Sequence, residues 1–158
     1  MRTRNVLLLF VSHATVLAAG FALGIYFLPI LIAPPPPEAQ AVQAAAKAAA
    51  FKGEFRRNLR DSDALHWGEG TVFVSREAIA LQGRVSPGPD YKLYLSPDFV
   101  ETRADFKRLK PRMVRIGDVK TFENFILPVP ASVDPMAYTT VVVWCETFSM
   151  FISAAKYR

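Results

Sequence analysis

From Val6 to Ala33 the chain carries no Asp, Glu, Lys or Arg, and this uncharged stretch limits what the remainder can be. A helix over it exceeds the roughly 20 residues that cross ~30 Å of hydrocarbon, so one tilted transmembrane span fits. The rival is a cleavable signal peptide, whose apolar part is usually ~7–15 residues long and ends at small residues. Ala18, Ala19 and Ala22 mimic such a site, but the run is too long, and an uncleaved signal anchor is expected. Arg2 and Arg4 precede the span, and positive flanks stay on the cytoplasmic side. The N-terminus is therefore expected in the cytoplasm and the C-terminal domain outside, periplasmic or extracellular. With 19 basic against 14 acidic residues, and two of the basic ones ahead of the span, the excess is too small to point to nucleic acid, which this topology excludes in any case.

The four prolines Pro34–Pro37 cannot continue a helix and favour an extended spacer. The alanine-rich segment Glu38–Ala50 is helix-prone and reads as a stalk of roughly 20 Å rather than as part of a core. Three regions result: 1–33 as N-terminus and anchor, 34–50 as Pro/Ala-rich linker, and 51–158 as a compact domain. In that last region short apolar runs alternate with Gly, Pro, Asp and Ser, the texture of an all-β ectodomain, sandwich or barrel-like. Strands are expected at Thr71–Val74, Ala78–Leu81, Tyr91–Leu95, Asn124–Leu127, Tyr138–Cys145 and Phe148–Ile152. In the Ser86–Asp90 turn the prolines fix φ and the glycine is expected to supply positive φ. Asp98–Lys110 fits a short helix or an ordered loop. The strand Tyr138–Cys145 is rich in β-branched residues and should be central and covered on both faces. Alternation puts Val141, Val143 and Cys145 on one face, with Val142 and Trp144 on the other.

The ordered motifs of this region resemble the DM-thirteen family, also called the electron transfer DM domain. Gly88-Pro89-Asp90 followed by Tyr91–Ser96 is similar to the family's turn and strand. Ile116–Lys120 with Asn124–Pro128 resembles its middle block, Phe125 standing where a tyrosine is usual. Val141–Phe151 followed by Ala154-Ala155 resembles the ending that marks the family, and His66 through Gly70 to Val74 is similar to its entry, more loosely. The resemblance covers about Phe51–Tyr157. It implies a redox or electron-transfer role, since such domains accompany haem- or sugar-binding and cytochrome-like modules, and it singles out the cysteine of the last block. No such module lies in this chain, so an electron partner would be a separate cell-envelope protein.

Cys145 is the single cysteine, so no intramolecular disulfide forms. A buried core residue, a redox thiol or axial ligand to haem iron, and an intermolecular disulfide all remain open for it. His66 is the candidate assistant, as base to the thiol or as a second cofactor-binding residue; a surface histidine is the plainer reading. Haem enters through the resemblance alone. One cysteine and one histidine are too few for a structural zinc site. No Walker-type loop, Gly-x-Gly-x-x-Gly, Ser-centred elbow or His-Glu-x-x-His occurs, which argues against a hydrolase or nucleotide enzyme. Within the span, Gly20 and Gly24 form a Gly-x-x-x-Gly that suits a helix homodimer, with His13 on the same face. The basic group Arg103, Lys107, Arg108, Lys110, Arg112 and Arg115 reads as a solvated face, or as a dock for anionic lipid or an acidic partner. Two function classes survive: a membrane-tethered redox component centred on Cys145, and a non-catalytic binding module on the outer face of the membrane.

Overall fold

The computed structural model describes residues 3–158; Met1 and Arg2, one of the two arginines in the orientation argument, lie outside them. Helix α1 (Thr3–Ile32) takes in almost the whole uncharged stretch and ends where Pro34–Pro37 begin, because proline removes the donor and clashes with the preceding turn. None of its residues is buried, and its length and composition fit a membrane anchor or a signal sequence. Gly20 and Gly24 lie on open helix surface, with nothing near the position of an added Cβ. His13 is turned into its own helix, its Nδ1 2.7 Å from the Leu9 carbonyl.

Eight antiparallel strands form two four-stranded sheets, so the domain is a sandwich rather than a closed barrel. The first sheet runs β1 (Phe51–Phe55), β2 (Gly68–Val74), β3 (Ala78–Val85) and β6 (Glu123–Pro128). The second runs β5 (Val114–Val119), β4 (Tyr91–Ser96), β7 (Thr140–Cys145) and β8 (Met150–Lys156). Two strands, β1 and β5, lie outside the expected set. Both alternate apolar and polar residues, but each is interrupted by a glycine, Gly53 or Gly117, which hides the pattern. At Gly53 the glycine is needed, since a Cβ there would stand 2.5 Å from the Lys156 carbonyl of the facing sheet.

Strand β7 is the inner strand expected from its composition: every residue is buried. Val141, Val143 and Cys145 face the core between the sheets, beside Leu93, Leu95 and Ile152. Val142 and Trp144 face a second cluster outside that sheet. That cluster is roofed by α3 (Arg103–Leu109), so Asp98–Lys110 does contain a short helix. Thr102 caps it by accepting from the Asp105 amide, and Phe106 stacks on Trp144 at 3.8 Å between ring centroids and 7° between planes. Helix α2 (Ala39–Ala48) buries Val42 and packs against β3 and β6, a contact that the linker reading did not anticipate. One valine among methyl groups suffices because small side chains let the helix backbone approach the sheet closely.

The basic group is an exposed face in which four of the six residues have acidic partners. Arg108, Lys110, Arg112 and Arg115 are paired with Asp105, Glu146, Asp98 and Asp118 respectively.

Candidate functional site

Two turns meet at one end of the sandwich, and the sequence motifs lie on them. Tyr91 at the start of β4 pairs directly with Cys145 at the end of β7, and Cys145 pairs with Met150 on β8. Asp90 ties the two turns together. Its carbonyl accepts from the Glu146 amide at 3.0 Å, and its carboxylate accepts from the Thr147 hydroxyl at 3.0 Å and pairs with Lys92 at 2.6 Å. The Lys92 ammonium beside Asp90 holds its carboxyl below the usual range, against the opposing effect of partial burial. Lys92 also reaches Asp118 at 3.1 Å, so the pair is part of a small network whose partners screen one another from solvent.

The glycine of the Gly-Pro-Asp turn has a different role from the one its sequence suggests. Gly70 is the one glycine with positive φ among the described residues; Gly88 is not in that region. A Cβ on Gly88 would collide with the Tyr91 ring, so glycine is there to let that ring pack beneath the turn. Positive φ occurs instead at Ser149, at 51°, in the turn after Cys145. The strand expected at Phe148–Ile152 accordingly starts later, at Met150, and Phe148 stands in the turn with its ring exposed.

His66 is delivered by the segment between β1 and β2. Asp63 shapes it: Oδ1 accepts from the backbone amides of Leu65 and His66 at 2.7 and 2.8 Å, an Asx-type turn, and Oδ2 meets His66 Nδ1 at 2.8 Å. Partial desolvation raises the Asp63 carboxyl, but the bonds from the His66 ring and the Leu65 amide outweigh it and the net shift is downward. Next along, Trp67 is fixed by exchange with buried Ser86, whose amide donates to the Trp67 carbonyl at 2.9 Å while its hydroxyl accepts from the Trp67 amide at 3.2 Å. The Arg57 guanidinium covers the Trp67 ring at 3.4 Å and pairs with Glu69.

These elements enclose a pocket of about 450 Å³, within the ~300–1,000 Å³ common for small-molecule sites. Cys145, His66, Tyr91, Met150 and Ile152 line it from the domain, and Ala22, Ile25 and Tyr26 from α1. The two residues singled out in the sequence are thus brought round one cavity, although far apart in the chain. No hydrogen bond joins them: the His66 ring is committed to Asp63 through Nδ1. Cys145 is 2% exposed and unpaired. Burial pushes its thiol up and the Asp90 charge adds to this, while backbone hydrogen bonds at Phe148, Asp90 and Thr147 pull the other way without reversing it. Sequence reasoning missed Tyr91, Asp90, Leu65 and Phe148 as parts of this end of the fold. The Gly-Pro-Asp motif carried the signal for the first two, as a turn that must meet the cysteine's turn.

The electron transfer DM13 family matches residues 54–157, from β1 through β8. The chain belongs to that family. The match takes in both sheets and every domain residue of the pocket, while α1 and α2 precede it. No curated protein and no solved structure matches the chain.

The donor set suits a redox group. A thiolate is a soft iron ligand, and Cys145 lines the pocket with no other covalent or ionic partner. A ligating histidine ordinarily has its other ring nitrogen held by a carboxylate, as Asp63 holds His66 Nδ1.

Proposed function

We propose that this DM13 domain is an electron-transfer component tethered by α1 to the outer face of a membrane, with the Cys145 pocket as the place where its redox group is held. The observation that carries the reading is the convergence of Cys145 and carboxylate-oriented His66 on one largely apolar cavity in a domain of this family. Cys145 would supply the thiolate ligand and His66 Nε2 the second donor. A haem-type group bound there would supply a one-electron iron couple. The chain's own contribution is to hold the donors: Asp63 fixes the histidine's tautomer and orientation, Asp90 locks the cysteine's turn, and the apolar wall excludes water.

A free-thiol cycle is less well supported. The attacking species in thiol exchange is the thiolate, and here burial disfavours it with no histidine in hydrogen-bonding contact. Metal binding reverses that preference, because a coordinating thiol is deprotonated outright. Arg4 before the span supports the cytoplasmic N-terminus.

The test is the visible absorption spectrum of the full chain extracted from membranes of its own host, beside Cys145→Ser. A band present in the wild type and lost in the variant is expected. Absence of any band in the wild type would overturn the cofactor reading.

A further inference from the structure

Outside α1, the exposed large apolar side chains among the described residues are Leu65 and Phe148, 58% and 47% exposed, and both stand on the rim of the Cys145 pocket. Scattered single exposures need no explanation; two from separate turns at the mouth of one apolar cavity form a patch. The remaining wall comes from α1, through Ala22, Ile25 and Tyr26.

Their height follows from arithmetic on the helix. At 1.5 Å per residue the 30 residues of α1 reach about 45 Å, more than the ~30 Å hydrocarbon layer. With Arg4 at the inner surface, about 20 residues from Val6 bring the outer hydrocarbon boundary to the neighbourhood of Ile25. Tyr26 then lies at headgroup level, where amphipathic rings collect in aromatic belts. Because Ala22, Ile25 and Tyr26 share a pocket with Leu65 and Phe148, the rim of the domain sits at the same boundary.

We propose that the Cys145 pocket opens sideways into the outer leaflet, with Leu65 and Phe148 seated in the lipid interface, and that it binds a lipid-dissolved quinone. The ring lies at the mouth between Leu65 and Phe148, with Cys145 and His66 left to the redox group behind it, and the apolar tail runs out between α1 and the rim. The choice of a quinone rests on the electron-transfer reading, since it is the class of carrier that dissolves in lipid and presents carbonyl acceptors. The sideways mouth rests on the apolar rim and the height of α1 alone.

The experiment uses the full chain in phosphatidylcholine vesicles carrying a photoreactive, short-tailed benzoquinone. Crosslinks are expected within 145–152, 65–66 or 87–91, suppressed by an unlabelled benzoquinone of the same ring. The double variant Leu65→Asp with Phe148→Asp, both at exposed positions, should keep its unfolding midpoint. Its crosslink yield should fall roughly tenfold, the factor that about 1.4 kcal/mol represents. Crosslinks confined to α1, a yield unmoved by competitor, or an equal yield from a photoreactive alkane of the same length would overturn the site. Quinone capture without any visible band in the protein would remove the electron-transfer reading and keep the pocket. A band lost in Cys145→Ser with no quinone capture would do the reverse.

Discussion

A charged, water-soluble aromatic disulfide offered to the native chain tests how Cys145 is held. A free cysteine with a pKa of about 8.5 is roughly 10% thiolate at pH 7.5, and each unit of upward shift removes a factor of ten from the reactive form. In this fold the thiol is shifted upward, chiefly by burial. Access compounds the effect, because Cys145 lies 2% exposed on the inner wall of the pocket and the β7–β8 end has to open before a charged reagent reaches the sulfur. Opening that costs even about 1.4 kcal/mol takes a further factor of ten. Labelling of the detergent-solubilised, cofactor-free chain at pH 7.5, followed by absorbance, should therefore run at least about tenfold slower than labelling of the unfolded chain in denaturant. His66→Ala should leave the native rate within about twofold, since the ring is engaged by Asp63 and not by the thiol. Native labelling as fast as in the unfolded chain would refute the argument from burial. A loss of roughly tenfold in His66→Ala would restore histidine as base to a working thiol.

The second core offers a stability test: Phe106→Ala removes a fully buried ring that stacks on Trp144 and meets Tyr94 edge-on at 5.2 Å, so a loss of about 3–5 kcal/mol is expected in denaturant unfolding. A loss below about 1 kcal/mol would mean that α3 is not part of the core. Gly70→Ala should destabilise by more than about 1–2 kcal/mol, since its φ of 114° disfavours a side chain and a Cβ would strike the Gln82 carbonyl; Gly117→Ala, whose nearest neighbour is 3.9 Å away, should cost far less. Equal effects at the two sites would show that the close approach of β2 and β3 does not matter. Alkaline stability gives a third check: burial raises Tyr91 and Tyr157, and Tyr94 is raised by burial and by its bond to Glu146, as Cys145 is by burial. Groups with raised folded values contribute stability in full below their unfolded values, about 8.5 for cysteine and 10 for tyrosine, and lose it as pH rises toward the folded ones. The melting temperature should hold to about pH 8 and decline beyond about pH 9; a rise in that window would contradict the sign.

Much of the sandwich was legible because burial on a strand follows a period of two. The β-branched run before Cys145 announced an inner strand, and its alternation separated Val141, Val143 and Cys145 from Val142 and Trp144 correctly. Strands β1 and β5 were not legible, because a mid-strand glycine looks like a turn until the facing backbone is known. Phe148 misled in the opposite direction: an aromatic next to an apolar run reads as strand, yet the positive φ of Ser149 puts it in the turn.

Sequence by itself determined the long uncharged helix, its stop at the prolines, the β character of the domain, its family motifs and the cysteine that ends them. These are local properties, set by hydropathy, by the fixed φ of proline and by side-chain alternation. Only the tertiary structure decided that His66 and Cys145 line one cavity, that Gly88 makes room for Tyr91, that four of the six basic residues are paired, and that Leu65 and Phe148 stand together at the pocket's mouth. Those relations join residues on different strands and turns, and their distances are fixed by how the two sheets pack rather than by spacing along the chain.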